Sequence, residues 1–313
     1  MTRYAKEFRR IARKLSRFEL MEASDFGTRD AQGDLNDLLS SIEGRRGPSR
    51  FLDFYGDEGI RTAFERYALL EPLQARGYED FRFELEVRDE RHTLFVYAGH
   101  ASLDEPARLI ELVVRRDRLV PGALASLDES FTVLTVDWLM MADPLRPFTA
   151  ERPRLPGQTA PGLGMAEAVL ELLYRVVERL DLDGLVTTGE HFHNAVMYRS
   201  ELKYLDPASE GVCIALEDAL LAREGLSLAA ASWAIEWGLV YEEGTSEPFQ
   251  WRGEAQARGQ HAALADFLKQ SKRRREAAEA AALLSFEVDV PALELRLADE
   301  GIAPPKGEPP HLP

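Results

Sequence analysis

The chain has 313 residues, 45% of them hydrophobic, and a formal net charge of -16. That length and apolar content suit one large domain or two, with a substantial core. The acidic balance argues against broad nucleic-acid binding, and a single cysteine, Cys213, rules out a disulfide framework and a thiol-only zinc site.

The N-terminus is charged and lacks the apolar core of a secretory signal. No apolar run approaches the roughly 20 residues that cross a membrane, so a cytoplasmic protein without a transmembrane segment is expected. Residues 2–18 place Tyr4, Phe8, Ile11, Leu15 and Phe18 at three- and four-residue spacing, with Arg3, Lys6, Arg9, Arg10, Arg13, Lys14 and Arg17 around them. The pattern predicts one amphipathic basic helix. Such a helix either lies on an anionic surface or docks on its own acidic protein; docking is the expectation. Residues 22–50 are broken by Gly27, Gly33, Gly44, Gly47 and Pro48, with room for a short helix over 34–42. Residues 58–74 read as helix, through Ile60, Phe64, Tyr67, Leu70 and Leu73. Residues 1–80 are thus a helical lead-in.

Strand patterns begin at Phe81, where Phe81, Phe83, Leu85 and Val87 alternate with Arg82, Glu84, Glu86 and Arg88. A turn at Asp89 leads into 93–98, so the two read as a hairpin. Residues 109–114 and 131–140 follow as a third and a fourth strand, the fourth being the most apolar. Strands in meander order, then turn, helix, strand and helix, predict an α/β (α+β) fold: a mixed central sheet covered by helices. A doubly wound dinucleotide fold is not expected, because the early strands lack crossover helices.

After the fourth strand, Pro144, Pro147, Pro153, Pro156 and Pro161 mark an extended loop, which either lines a pocket or runs over the surface. Gly157, Gly162 and Gly164 then open a helix over 165–180, with Met165, Val169, Leu172, Leu173, Val176, Val177 and Leu180 on one stripe. The first N–H groups of such a helix have no internal partners, so a pyrophosphate at 162–165 is one reading and a water-capped loop the other. A short strand over 185–188 leads into a second helical stretch carrying His191, His193, Asn194 and Tyr198. An imidazole titrating near 6.5 suits a proton acceptor for an amine substrate, and His191 or His193 fits that role. Asp137 on the fourth strand is a further base candidate. No metal is expected, because His191 and His193 have no carboxylate at a convincing ligand spacing.

Residues 212–221 and 227–237 read as helices, 240–251 as mixed with two short strands, and 254–284 as one strongly helical stretch rich in Ala, Glu, Gln and Arg. Residues 207–300 are therefore expected to be a mainly helical region: a second domain, an oligomerisation surface or a lid. Residues 301–313, rich in Pro and Gly, are expected to be a disordered tail.

Between residues 81 and 206 the chain resembles the GNAT superfamily of CoA-dependent acyltransferases. In that family a Gln/Arg-x-x-Gly-x-Gly/Ala loop opens the helix after the fourth strand. Here Gln158 is followed by Gly162-Leu163-Gly164, with one residue more before the first glycine. The family's fifth strand is followed by an Asn-containing helix ending in Tyr and a Gly-Phe pair. Asn194, Ala195 and Tyr198 match it, with Lys203-Tyr204-Leu205 in place of Gly-Phe. The resemblance implies acetyl-CoA or another acyl-CoA as cofactor, with pyrophosphate at Gln158, Gly162, Leu163, Gly164 and Met165. It implies pantetheine along the backbone of Trp138, Leu139 and Met140, Asn194 holding the cofactor arm, and Tyr198 protonating the leaving thiolate. Acyl transfer to an amine, on a small molecule or a protein, is the activity expected. The altered motif spacing keeps a second reading open, an inactive GNAT-like binding module or scaffold. A third replaces the CoA donor by an acyl carrier protein docking on the basic N-terminal helix. A homo-oligomer through the flanking helices is a further expectation.

Overall fold

The computed structural model describes residues 2–22, 50–120 and 129–302. The chain divides into two compact units that exchange segments along the sequence: Met1–Arg116, Val136–Ala142 and Leu163–Val176 form the first, and Asp117–Thr135, Asp143–Gly162 and Val177–Pro313 the second. The short helix expected at 34–42 and the tail from 303 lie outside the described residues.

In the first unit the N-terminal pattern folds as two helices, α1 (Ala5–Ala12) and α2 (Arg17–Met21). The single helix expected over 2–18 is interrupted because the Ser16 hydroxyl accepts from the Glu19 N–H and the Glu19 carboxylate accepts from the Ser16 N–H, a capping box that starts a new helix. Docking is what happens, through Phe8, Leu15 and Leu20, which are buried, with the Phe8 ring tilted 4.7 Å from that of Tyr67; the basic residues face outward, and so does Phe18, the last residue of the expected stripe, at 82% exposure. The expected 58–74 helix is likewise two, α3 (Asp57–Arg66) and α4 (Glu71–Gln74). Between them Ala68 has φ +55°, a left-handed conformation that ends the first helix.

Strands β1 (Glu79–Arg88) and β2 (Arg91–Gly99) form the expected hairpin, antiparallel, with Arg88 opposite Arg91 across a two-residue turn. Asp89 supplies the left-handed residue there, at φ +54°. Strand β3 (Ala107–Leu119) pairs with β2, and β4 (Phe131–Met141) follows. Helix α5 (Ala166–Arg179) packs Ala168, Val169, Leu173 and Val177 inward. Its inner face is less apolar than the stripe implied. Glu171 and Arg175 are also buried, joined at 2.9 Å, and the Thr2 hydroxyl donates to Glu171 at 2.5 Å. The first turn of α5 and the N-terminus are thus tied together, with Arg3 Nε 3.1 Å from the Glu167 carboxylate.

In the second unit β5 (Gly184–Thr188) begins beside the start of β4: the Asp183 N–H donates to the Thr132 carbonyl at 2.7 Å, and the Thr132 N–H to the Asp183 carboxylate at 2.7 Å. Helix α6 (Phe192–Tyr198), strand β6 (Lys203–Tyr204) and helix α7 (Pro207–Leu216) follow, α7 running on into a wider π-helical turn over Glu217–Arg223. Helix α8 (Leu228–Glu236) is capped by the Ser227 hydroxyl, and β7 (Val240–Glu242) comes next.

The stretch expected to be one helix from 254 is not. It opens with strand β8 (Ala255–Gly259), antiparallel to both β5 and β6. Helices α9 (Ala262–Leu268) and α10 (Ser271–Ala282), strand β9 (Phe286–Val288) and helix α11 (Val290–Asp299) complete the chain. Ala-Gln-Ala-Arg-Gly carries no strand signal of its own; two flanking strands satisfy its backbone, and Gln256 and Ala257 are fully buried. The large sheet has the order β1-β2-β3-β4-β5-β8-β6, and β7 and β9 form a separate pair. The α+β class is as the sequence predicts, and the sheet continues past residue 206. The apolar residues of α7, α8, β7, β9 and α11 make one core with Phe192, Val196 and Tyr204.

Candidate functional site

The turn that opens α5 holds Leu163 and Met165 buried and Gly164 exposed at φ +70°, with open space where a side chain would go. Such a conformation favours glycine. The Leu163 carbonyl accepts from the Arg76 guanidinium at 2.7 Å, which brings a cation to the positive end of the helix. Glu167 in the first turn opposes an anion there, and its pairing with Arg3 offsets that charge. Gln158 has a local role: its side-chain oxygen accepts from the Leu155 N–H at 3.2 Å, and its own N–H donates to the Leu155 carbonyl at 3.1 Å. Gly162 is half-buried. Trp138, 42% exposed, Leu139 and Met140 close β4. Asp137 is occupied by ion pairs to Arg115 at 3.1 Å and Arg91 at 3.4 Å.

The end of β5 is built differently. Gly189 passes so close to the Ala195 backbone that a Cβ would lie 2.7 Å from its nitrogen, and its carbonyl accepts from the Trp251 indole N–H at 3.0 Å. Trp251 also packs edge-on against Phe192, 5.6 Å away. The chain then turns into α6 with His191 extended (φ -114°, ψ 158°) before the first helical residue. That break lets two histidines two positions apart come face to face: the His191 and His193 rings stack 5.4 Å apart at 10°. His193 is 3% exposed, with no hydrogen-bond partner for Nδ1 among the described residues. Burial, then the neighbouring His191, pushes its pKa down to about 3, so it stays neutral and does not take up a proton at ordinary pH. His191 is half-buried, and its Nδ1 lies 3.2 Å from the Glu236 carboxylate of α8. Its Nε2 faces Gly157: at φ +78°, a Cβ on residue 157 would sit 2.7 Å from that nitrogen.

Asn194 turns back on its own helix, its side-chain oxygen accepting from the His191 N–H at 3.3 Å. Tyr198 is half-buried, and burial raises its pKa, so the phenol keeps its proton at neutral pH. Cys213, beside Tyr204, is fully buried and inert. Burial, then the Glu217 charge, lifts its pKa to about 12, and Glu217 is paired with Arg199.

His191, His193, Asn194, Tyr198, Gln158 and Gly162 therefore belong to the second unit, and Asp137, Trp138, Leu139, Met140, Leu163, Gly164 and Met165 to the first. Glu236 escaped the sequence reading because it lies 45 residues from His191. One signal does mark it: it is the only charge in Leu-Ala-Ala-Ala-Ser-Trp-Ala-Ile-Glu, the sequence of α8. Among the described residues, no group of three or more His, Cys, Asp or Glu is arranged to hold a metal ion, and no helix is long and apolar enough to cross a membrane.

No family model matches the chain, and no curated protein does. Among solved structures, a chain of the KacTA–DNA complex is similar over 46% of this chain and 70% of its own, at 10% identity and a TM-score of 0.24. A likeness at that level assigns neither fold nor function.

Proposed function

We propose that the protein is an acyl-CoA-dependent N-acyltransferase of the GNAT type, moving an acetyl or other acyl group to an amine of a small molecule or a protein. The observation that carries this reading is the sequence of elements after β4: a glycine turn, helix α5, strand β5 beginning beside β4, and a short helix carrying Asn194 and Tyr198. The turn at 162–165, with its left-handed Gly164 and the adjacent Arg76, would receive the pyrophosphate. Acyl-CoA would supply the thioester, with CoA as the leaving thiol.

The protein's own residues would then manage two protons. The amine nitrogen would attack the thioester carbonyl and its proton would pass to His191 Nε2. The carbon–sulfur bond would break as the new carbon–nitrogen bond is kept, and the Tyr198 hydroxyl would protonate the departing thiolate and regain its proton from solvent. His191 is favoured over the other two base candidates because His193 is buried with a strongly lowered pKa and both oxygens of Asp137 face arginines. A second reading, an inactive module that binds a ligand or partner, is favoured by Gln158 and Asn194, whose side chains serve local backbone bonds.

Thiol release from acetyl-CoA and from an acyl-thiophenol ester, with a panel of amines, tests the active reading. Tyr198→Phe should slow release from acetyl-CoA by roughly 10- to 1000-fold, with less effect on the thiophenol ester, whose leaving group needs less protonation. Wild-type protein that releases no thiol above the uncatalysed rate with any amine would leave the inactive module as the better reading.

A further inference from the structure

Resting on the acyltransfer reading, we infer that Glu236 is a positioning residue that fixes the tautomer and orientation of His191, so that the region after residue 206 completes the proton-accepting site. An ionised carboxylate can only accept hydrogen bonds. At 3.2 Å from Nδ1, Glu236 therefore favours the ring form with its proton on Nδ1 and the lone pair on Nε2. This is the tautomer a base needs if Nε2 is to receive the amine proton. Free imidazole side chains favour the opposite one.

Three further contacts hold that arrangement. His193 stacks on one face of the His191 ring and fixes its plane. Gly157 leaves room for the ring, since any side chain there would press on Nε2. Helix α8, which presents Glu236, is clamped to the segment before Gly157. The Trp233 indole N–H donates to the Arg154 carbonyl at 2.7 Å, and the Arg154 guanidinium lies over the Trp233 ring and pairs with Glu300 at 2.8 Å. Trp233 stacks on Trp237, and Arg296 covers the other end of the pair. This ladder ties α8, α11 and the proline-rich loop to one another. Once Nε2 has taken the proton, the imidazolium remains paired with Glu236. Both groups are partly exposed, at 21% and 46% of their side chains, so the proton can leave to solvent.

The test is nitrogen-15 NMR of the ligand-free full chain at about pH 8, above the ordinary histidine range, on wild type, Glu236→Gln and Glu236→Ala. Wild type and Glu236→Gln, whose amide oxygen still accepts, should show His191 protonated on Nδ1. Glu236→Ala should shift it to Nε2. In parallel, Glu236→Ala should lose roughly 10- to 100-fold in kcat with acyl-CoA affinity unchanged, and Glu236→Gln should recover most of that loss. An Nε2-protonated His191 in the wild type, or a tautomer unchanged in Glu236→Ala, overturns the inference. The expected tautomers in a wild type that releases no thiol would sustain the role of Glu236 and overturn the acyltransfer reading instead.

Discussion

At the scale of single residues, the histidines set the clearest pH signature. His193 has a folded pKa near 3, against about 6.5 in an unfolded chain. Between those values the unfolded state binds a proton that the folded state does not, so the stability tied to His193 is fully present above about pH 6.5 and falls as the pH drops toward about 3. His92, buried and accepting from the Leu52 N–H at 3.0 Å, is shifted in the same direction by its burial. Replacing His193 with Leu should therefore flatten the fall in melting temperature between about pH 6.5 and 4 without abolishing it. An equally steep fall in wild type and variant would mean that His193 is protonated in the folded protein. His191 and His193 were legible in the sequence as candidates, because two histidines after a short apolar strand stand out. Their stacking was not, since it depends on His191 lying just outside the helix. Nor was the division of labour between them: which ring is buried and which meets a carboxylate is decided by α8, far along the chain.

Elements were legible where one face is apolar and the other polar. Strands β1 to β4, helix α5 and strand β5 emerge where predicted, β3 running five residues further, because each has one side that is buried or, for β1, half-buried, and β5 buries nearly all of its residues. Elements stabilised from outside were not legible. Strand β8 exists because β5 and β6 pair with it, and α2 exists because of a cap that interrupts an otherwise continuous pattern. The N-terminal helices offer a direct test of docking. Phe8 is 2% exposed and lies between Tyr4 and Tyr67. Phe8→Ala should cost about 3 to 5 kcal/mol, the range for removing a buried aromatic ring. Removal of residues 1–18 should lower the melting temperature further, as it also frees the buried Glu171 from Thr2. Unchanged stability in both variants, with loss of binding to anionic vesicles, would instead make α1 a membrane-facing element.

For the molecule as a whole, the acyltransferase account stands on the order of its elements and on two small constellations. The first is the glycine turn with Arg76 at the start of α5. The second is His191 with Glu236 and Gly157. The region after residue 206, read from sequence as a helical addition, supplies a sheet strand, a second core and Glu236. Composition alone hid this, because alanine-rich stretches read as helix whether or not a sheet edge is waiting for them. The measurement that bears most directly on the account is calorimetry of the ligand-free protein with CoA and acetyl-CoA, for wild type and for Gly164→Trp. Gly164 has a left-handed backbone, so a bulky residue there strains the turn that leads into α5. The account predicts saturable binding of both ligands by the wild type and strong weakening in Gly164→Trp at a temperature where the variant, though less stable, is still folded. No binding by the wild type at millimolar ligand would contradict it.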